Sequence, residues 1–315
     1  MVKRLLLASP RGYCAGVERA VESVERALDL HGPPVYVRKQ IVHNAHVVRD
    51  LEERGAVFVE SVSEVPRGAT VVFSAHGVSP AVHQHARERA LRTVDATCPL
   101  VSKVHAEARH YARLGYTIFL IGHAGHEEVE GTLGEAPAAV ILVESAADAA
   151  GVTPPQTERL AYLTQTTLSV DETAEIVDVL RARFPSLVSP SKEDICYATT
   201  NRQRAVKRML AAADLLLVIG SRNSSNSNRL VEVARAGGIE AHLIDDETGI
   251  DERWLAGVET VGLTSGASAP ESLVRRVVGW FREHGVTQIQ ELGGAAEQVF
   301  FKLPPEVRAQ PVTRT

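Results

Sequence analysis

"RTVDATCPLVSKVHAEARHYARLG" (residues 92–115) sets a short β-like run against a helical pattern that opens at Pro99, with Cys98 at the joint. Val101, Val104, Ala108 and Tyr111 recur at helical spacing, and proline fits the first helical turn because its missing amide has no intrahelical partner there. The only other cysteines lie in "PRGYCAGVERAVESVERAL" (10–28) and "KEDICYATTNRQRAVKRML" (192–210), where the same junction is expected. The intervals between the thiols, 84 residues from Cys14 to Cys98 and 98 from Cys98 to Cys196, are near one third of the chain.

Working outward, β-branched runs recur along the chain: "LLLAS", "PVYVRK", "AVFVE", "ATVVFSA", "TIFLIG", "AAVILVE", "LAYLTQ", "DLLLVIG", "EAHLID" and "VETVGLTSG". Helical stretches separate most of them, as in Val17, Val21, Val24 and Leu28, and this alternation predicts parallel sheets covered by helices. One open sheet of that many strands would be unusually wide, whereas three sheets of about four strands fit a chain of 315 residues. The fold class expected is α/β, with three similar small domains, mostly parallel sheets and a pseudo-threefold arrangement. The domains expected are 15–97, 98–194 and 195–315, the last joined by an N-terminal strand in 1–14. No strict sequence repeat accompanies this pattern, and "KLPPEVRAQPVTRT" reads as an extended, partly loose tail.

Composition narrows the function. Hydrophobic residues make up 44% and charged residues 23%, and a net charge of −5 gives no polybasic surface for nucleic acid. No apolar stretch is long enough to span a bilayer and "MVKRLLLASPRGYC" lacks a signal h-region, so a cytoplasmic protein without a membrane partner is expected. In a reducing compartment the three thiols stay free for metal binding or chemistry.

Turns at the carboxyl ends of parallel strands collect ligands, because the next helix aims its free amides there and favours a thiolate. Taken singly, each cysteine also reads as a small buried hydrophobe. With no Cys-x-x-Cys pair, a local zinc knuckle or thioredoxin motif is excluded. Three thiolates converging from three domains would instead hold an iron–sulfur cluster by three irons, leaving the fourth without a protein ligand.

The other strand ends are polar: "QIVHNAHVV" carries His43 and His46, "FSAHGVS" His76, and "LIGHAGHEEVEG" His123, His126, Glu127, Glu128 and Glu130. "YLTQTTLSVDE" offers Gln165, Thr166 and Thr167, "VIGSRNSSNSNRL" offers Ser224, Ser225 and Asn226, and "LTSGASAPES" offers Ser268. Hydroxyls, amides and imidazoles at one sheet level suit a phosphate or diphosphate, although Ser and Asn also cap helices. Neither a nucleotide-triphosphate loop nor a dinucleotide fingerprint is present, so NADPH is not expected to bind. Glu128 is a poor companion for an anion; it reads either as a proton carrier or as a solvated acid on a first helical turn, and spacing leaves Glu127 and Glu130 as rivals.

Together these residues resemble one family, the 4-hydroxy-3-methylbut-2-enyl diphosphate reductases of the non-mevalonate isoprenoid pathway. "PRGYCAGVERA", "VHN", "FSAHGVS", "DATCPLVSKVH", "GHAGH", "EVEGT", "TQTTLSVDET", "DICYATTNRQ", "GSRNSSNSNRL" and "TSGASAP" follow that family's motifs in order over nearly the whole chain. The resemblance implies three α/β lobes around a central 4Fe-4S cluster, with Cys14, Cys98 and Cys196 as ligands and one open iron that binds the substrate hydroxyl. It further implies that His43, His76, His126, Thr166, Ser224, Ser225, Asn226 and Ser268 line the pocket for an allylic diphosphate, with Glu128 as proton donor. Reductive loss of the hydroxyl would yield isopentenyl and dimethylallyl diphosphate, with a ferredoxin- or flavodoxin-type protein supplying electrons. Glu127 departs from the family pattern, in which proline is common there, and its charge is expected to raise the proton affinity of Glu128. An iron–sulfur hydro-lyase acting on a phosphorylated substrate and a non-catalytic phosphate-binding or metal-sensing protein are the competing readings.

Overall fold

Strand β1 (Arg4–Ala8) runs into helix α1 (Ala15–His31), after which β2 (Val35–Arg38), α2 (Ala45–Glu53), β3 (Ala56–Val59), β4 (Thr70–Phe73), α3 (Pro80–Glu88) and β5 (Arg92–Asp95) follow. The computed structural model describes residues 2–294 and 297–308. Strands β2 to β5 form one sheet in the order β3-β2-β4-β5.

The middle of the chain contains α4 (Pro99–Arg113), β6 (Thr117–Ile121), α5 (Glu127–Glu135), β7 (Val140–Val143), α6 (Ala146–Gly151), β8 (Leu160–Thr164) and α7 (Val170–Arg183). Its sheet has three strands, β7-β6-β8. The remainder, α8 (Tyr197–Met209), β9 (Leu215–Ile219), α9 (Ser225–Ala236), β10 (Glu240–Ile244), β11 (Thr260–Ser265), α10 (Glu271–Glu283) and β12 (Gln288–Leu292), builds the sheet β10-β9-β11-β1-β12. Every pairing between these strands is parallel.

Strands buried on both faces read as unbroken apolar runs, and β9 shows why. Leu215, Leu217 and Ile219 enter a core shared with α10, while Leu216 and Val218 point to the opposite core shared with α8 and α9. The α/β class with three parallel sheets is therefore the observed architecture.

Three local readings are corrected. Strand β12, "QIQEL", is a mostly exposed edge strand without an apolar face, so it gave no hydrophobic signal. Cys196 does not leave a strand: residues 184–196 after α7 carry a single bridge, Ala161 to Val188, before α8 begins. The tail is anchored rather than loose as far as residue 308, because Val307 is 1% exposed and packs with Leu303 into the core around α1; residues 309–315 of that tail lie outside the described residues.

Candidate active site

Six loops leave the carboxyl ends of β2, β4, β6, β8, β9 and β11, an adjacent pair of strands from each sheet. They meet the three cysteines in a cavity of about 760 Å³, its open mouth included. The cavity brings together residues 14, 98 and 196 although they are far apart in sequence.

Each thiol occupies the N-cap of its helix: Cys14 of α1, Cys98 of α4 and Cys196 of α8. The Val17 amide approaches Cys14 Sγ at 3.5 Å, and Thr199 places its amide at 3.4 Å and its hydroxyl at 3.1 Å from Cys196 Sγ. A Cβ added at Gly16 would stand 2.7 Å from Cys98 Sγ and 3.8 Å from Cys14 Sγ, so the bare glycine makes room for both sulfurs. The Ala15 amide donates to the Tyr197 hydroxyl at 3.3 Å, joining the first turns of α1 and α8.

Acidity is the reverse of what the helix positions suggested. Burial pushes the Cys98 thiol up to about 12 and Cys196 to about 11, and neighbouring thiols add to it, while helix amides only oppose the shift. Three thiolates in this cavity would need a cation among them, a charge that a bound metal group would supply. Soft sulfur donors from three separate helices, no fourth cysteine in the chain and a side-chain-free position beside them fit an iron–sulfur group held by three thiolates.

Across the cavity stand three imidazoles. His43 and His76 stack with centroids 4.1 Å apart at 17°, and His126 meets them edge-on at 5.6 and 5.8 Å. Burial holds all three far below the usual histidine range, His43 to about 3, His76 to about 4 and His126 to about 3, with neighbouring imidazoles adding to it at His43 and His126 and Lys39 at His43 and His76. Each is neutral at pH 7 and offers one donor. His126 accepts the Glu128 amide at Nδ1 (3.2 Å), which leaves its hydrogen on Nε2.

Hydroxyl and amide groups complete the wall. Thr167 donates to Ser225 Oγ at 3.0 Å, and Ser268 donates to the His43 carbonyl at 2.9 Å. Ser224 caps α9, and Asn226 Oδ1 accepts the Ala267 amide at 2.9 Å. All of these line the same cavity.

Glu128 sits on the first turn of α5 and is 2% exposed. The Thr166 amide donates to its Oε1 at 2.6 Å and the Thr166 hydroxyl to its Oε2 at 3.0 Å. Those bonds favour the carboxylate, yet burial outweighs them and Asp194 adds a like charge, so the pKa rises to about 7. The solvated-acid reading is therefore excluded. Glu127 is not the like charge acting on Glu128: its Oε2 lies 3.3 Å from Ser74 Oγ, which donates to it, and 3.4 Å from His76 Nδ1.

Of the other loop residues, His46 pairs with Asp246 (3.0 Å), His123 with Arg229 (2.9 Å) and Glu130 with Lys39 (3.0 Å), and none lines the cavity. Sequence reasoning missed Gly16, Tyr197, Thr199 and Phe301, all of which line it. Thr199, three residues after Cys196, carries a capping signal; Phe301 had no signal of its own.

The architecture and cavity define a class: an α/β protein with three parallel sheets that gathers three thiols opposite a wall of histidine and hydroxyl groups. The chain matches the family described as LytB protein over residues 5–282 and belongs to it. It is 60% identical to the 4-hydroxy-3-methylbut-2-enyl diphosphate reductase of Acidothermus cellulolyticus, over 99% of this chain and 94% of that one. Identity to the reductase of Mycolicibacterium paratuberculosis is 61%, covering 98% and 93% of the two chains. The solved E-1-hydroxy-2-methyl-but-2-enyl-4-diphosphate reductase of Plasmodium falciparum superposes with a TM-score of 0.94 at 41% identity, covering 98% of this chain and 97% of that one.

Proposed function

We propose that this chain reductively dehydroxylates (E)-4-hydroxy-3-methylbut-2-enyl diphosphate to isopentenyl and dimethylallyl diphosphate, the final step of the non-mevalonate pathway. Two electrons and two protons replace the allylic carbon–oxygen bond by carbon–hydrogen and release water. The observation that carries this reading is the placement of a buried, protonatable Glu128 in one cavity with three thiols and a wall of hydrogen-bond donors.

In this reading Cys14, Cys98 and Cys196 hold a 4Fe-4S cluster with one iron free of thiolate. When bound, that cluster supplies electrons and Lewis-acid polarisation of the leaving hydroxyl. His43, His76 and His126, with Ser224, Ser225, Asn226 and Ser268, bind and orient the diphosphate through neutral donors. Thr166 orients the Glu128 carboxyl, and Glu128 delivers the proton that lets hydroxide depart as water.

The boundaries 15–97, 98–194 and 195–315 with 1–14 are part of the proposal, as are a ferredoxin- or flavodoxin-type donor and a cytoplasmic location. Free, metal-competent thiols support a reducing compartment. Among the described residues no helix is long and apolar enough to cross a membrane.

The test is conversion of the hydroxylated diphosphate by anaerobically purified protein with and without a low-potential reductant. Formation of both products only with reductant supports the reading. Reductant-independent loss or addition of water would favour a hydro-lyase instead.

A further inference from the structure

The segment that carries Cys196 lacks a ladder of strand hydrogen bonds, so side chains must fix it. They come from α4, the helix that Cys98 caps. Lys103, Glu107 and Tyr111 stand four residues apart on one face of that helix. Tyr111 donates its hydroxyl to the Ser189 carbonyl at 3.0 Å, and Glu107 accepts the Ser191 amide at 3.1 Å. Lys103 Nζ donates to the Lys192 carbonyl at 2.5 Å and to Asp194 Oδ1 at 2.6 Å.

Asp194 is the unusual member. Its side chain is 0% exposed, and its second oxygen accepts the amide of Thr164, the last residue of β8, at 2.9 Å. A carboxylate this deep is tolerated only with its partners in place, and removing one partner is more disruptive than losing a surface pair. Two residues beyond each end of that contact the chains meet again, where the Cys196 amide donates to the Thr166 carbonyl at 3.0 Å. Thr166 is also the residue that holds both oxygens of Glu128.

We propose that Asp194, clamped between Lys103 and the Thr164 amide, is the positioning residue that sets Cys196 against Cys98 and, through Thr166, against Glu128. The inference rests on the proposed three-thiolate centre. Asp194 does not line the cavity; it acts by fixing the segment that presents the third thiol. Metal sites lose function when such supporting contacts loosen, even with every ligand present.

The test uses full-length protein purified anaerobically as wild type, Asp194→Asn, Lys103→Gln and, as a control on the same strap, Glu107→Gln. Asn cannot accept both bonds while facing the lysine ammonium, so iron per chain should fall by at least half and turnover per remaining cluster by about tenfold. KM should stay within about twofold, because His43, His76, His126, Ser224, Ser225, Asn226 and Ser268 stand on other loops. The iron spectrum should change as well. Lys103→Gln, altering a side chain only 26% exposed but reaching solvent, should reproduce these effects even if Asp194→Asn fails to fold. Glu107→Gln should keep iron, spectrum and turnover, losing only melting temperature. Full iron content with a wild-type spectrum and turnover in Asp194→Asn or Lys103→Gln would overturn the proposal. A lowered melting temperature with unchanged turnover per cluster would also do so, since it marks a structural role alone. If the wild type itself held no iron–sulfur centre, the underlying functional reading would fail instead, and the wild-type iron content alone would show it.

Discussion

Thr166 grips both oxygens of the Glu128 carboxyl, with its amide 2.6 Å from Oε1 and its hydroxyl 3.0 Å from Oε2. The grip orients a buried acid whose pKa still lies near 7, so it can hold a proton to give. Glu128→Gln keeps the size and polarity and loses the proton, so turnover should fall at least ~10²-fold with near-normal substrate affinity. Glu127→Gln and Glu130→Gln should be mild, since those carboxylates face Ser74 and Lys39. Steady-state kinetics of the three variants decides it; a severe Glu127→Gln with an active Glu128→Gln would reassign the donor.

The pH dependence follows from the same burial. Glu128 is raised from 4.5 to about 7, so it carries its proton below that pH and loses it above. In the proposed mechanism the acid form is the active one, so kcat should be flat on the acid side and decline as pH rises through about 7. Profiles of kcat against pH for wild type and Glu128→Gln test this: the variant's residual rate should lack that limb.

Removing single donors from the anion wall should weaken binding. A hydrogen bond to a charged oxygen contributes about 1.5–3 kcal/mol, so Ser224→Ala, Asn226→Ala and Ser268→Ala should each raise KM roughly ten- to a hundredfold. Each also has a second contact: Ser268 donates to the His43 carbonyl at 2.9 Å. Ser224 also caps α9, at a further stability cost of about 1 kcal/mol, and Asn226 donates at 3.3 Å to Thr199, which touches Cys196. Unchanged KM in all three would place the diphosphate elsewhere.

Gly16→Ala should separate fold from metal centre. The new methyl would lie 2.7 Å from Cys98 Sγ on a helix that otherwise favours alanine by about 1 kcal/mol. Thermal unfolding of the metal-free protein should therefore be preserved while iron content drops, because the sulfur must move. Retention of full iron would show that the thiols need no such close approach.

The fold was legible where burial writes continuous apolar runs, as in "DLLLVIG", and illegible where a strand is an exposed edge, as in "QIQEL". The site was legible at strand ends, since Cys14, Cys98, His43, His76 and Ser268 all follow turns with their own signals. Cys196 was placed correctly in the cavity but for a partly wrong reason, because side chains of α4 rather than a strand deliver it. The thiol acidities could not be read at all: a sequence shows the helix terminus that lowers them and hides the burial that raises them. Spacing left Glu128 undecided among three neighbouring acids, and its burial, unlike that of Glu127 or Glu130, could not be read from the sequence.

The central claim is that three thiols from three helices hold an iron–sulfur cluster. Iron and acid-labile sulfide content of strictly anaerobic preparations, for wild type and for Cys14→Ser, Cys98→Ser and Cys196→Ser, tests it most directly. The account expects a 4Fe-4S complement in wild type, with one iron lost first on exposure to oxygen, and loss of most of the cluster in every serine variant. Zinc in place of iron in the wild type, or a full cluster in any one serine variant, would contradict it.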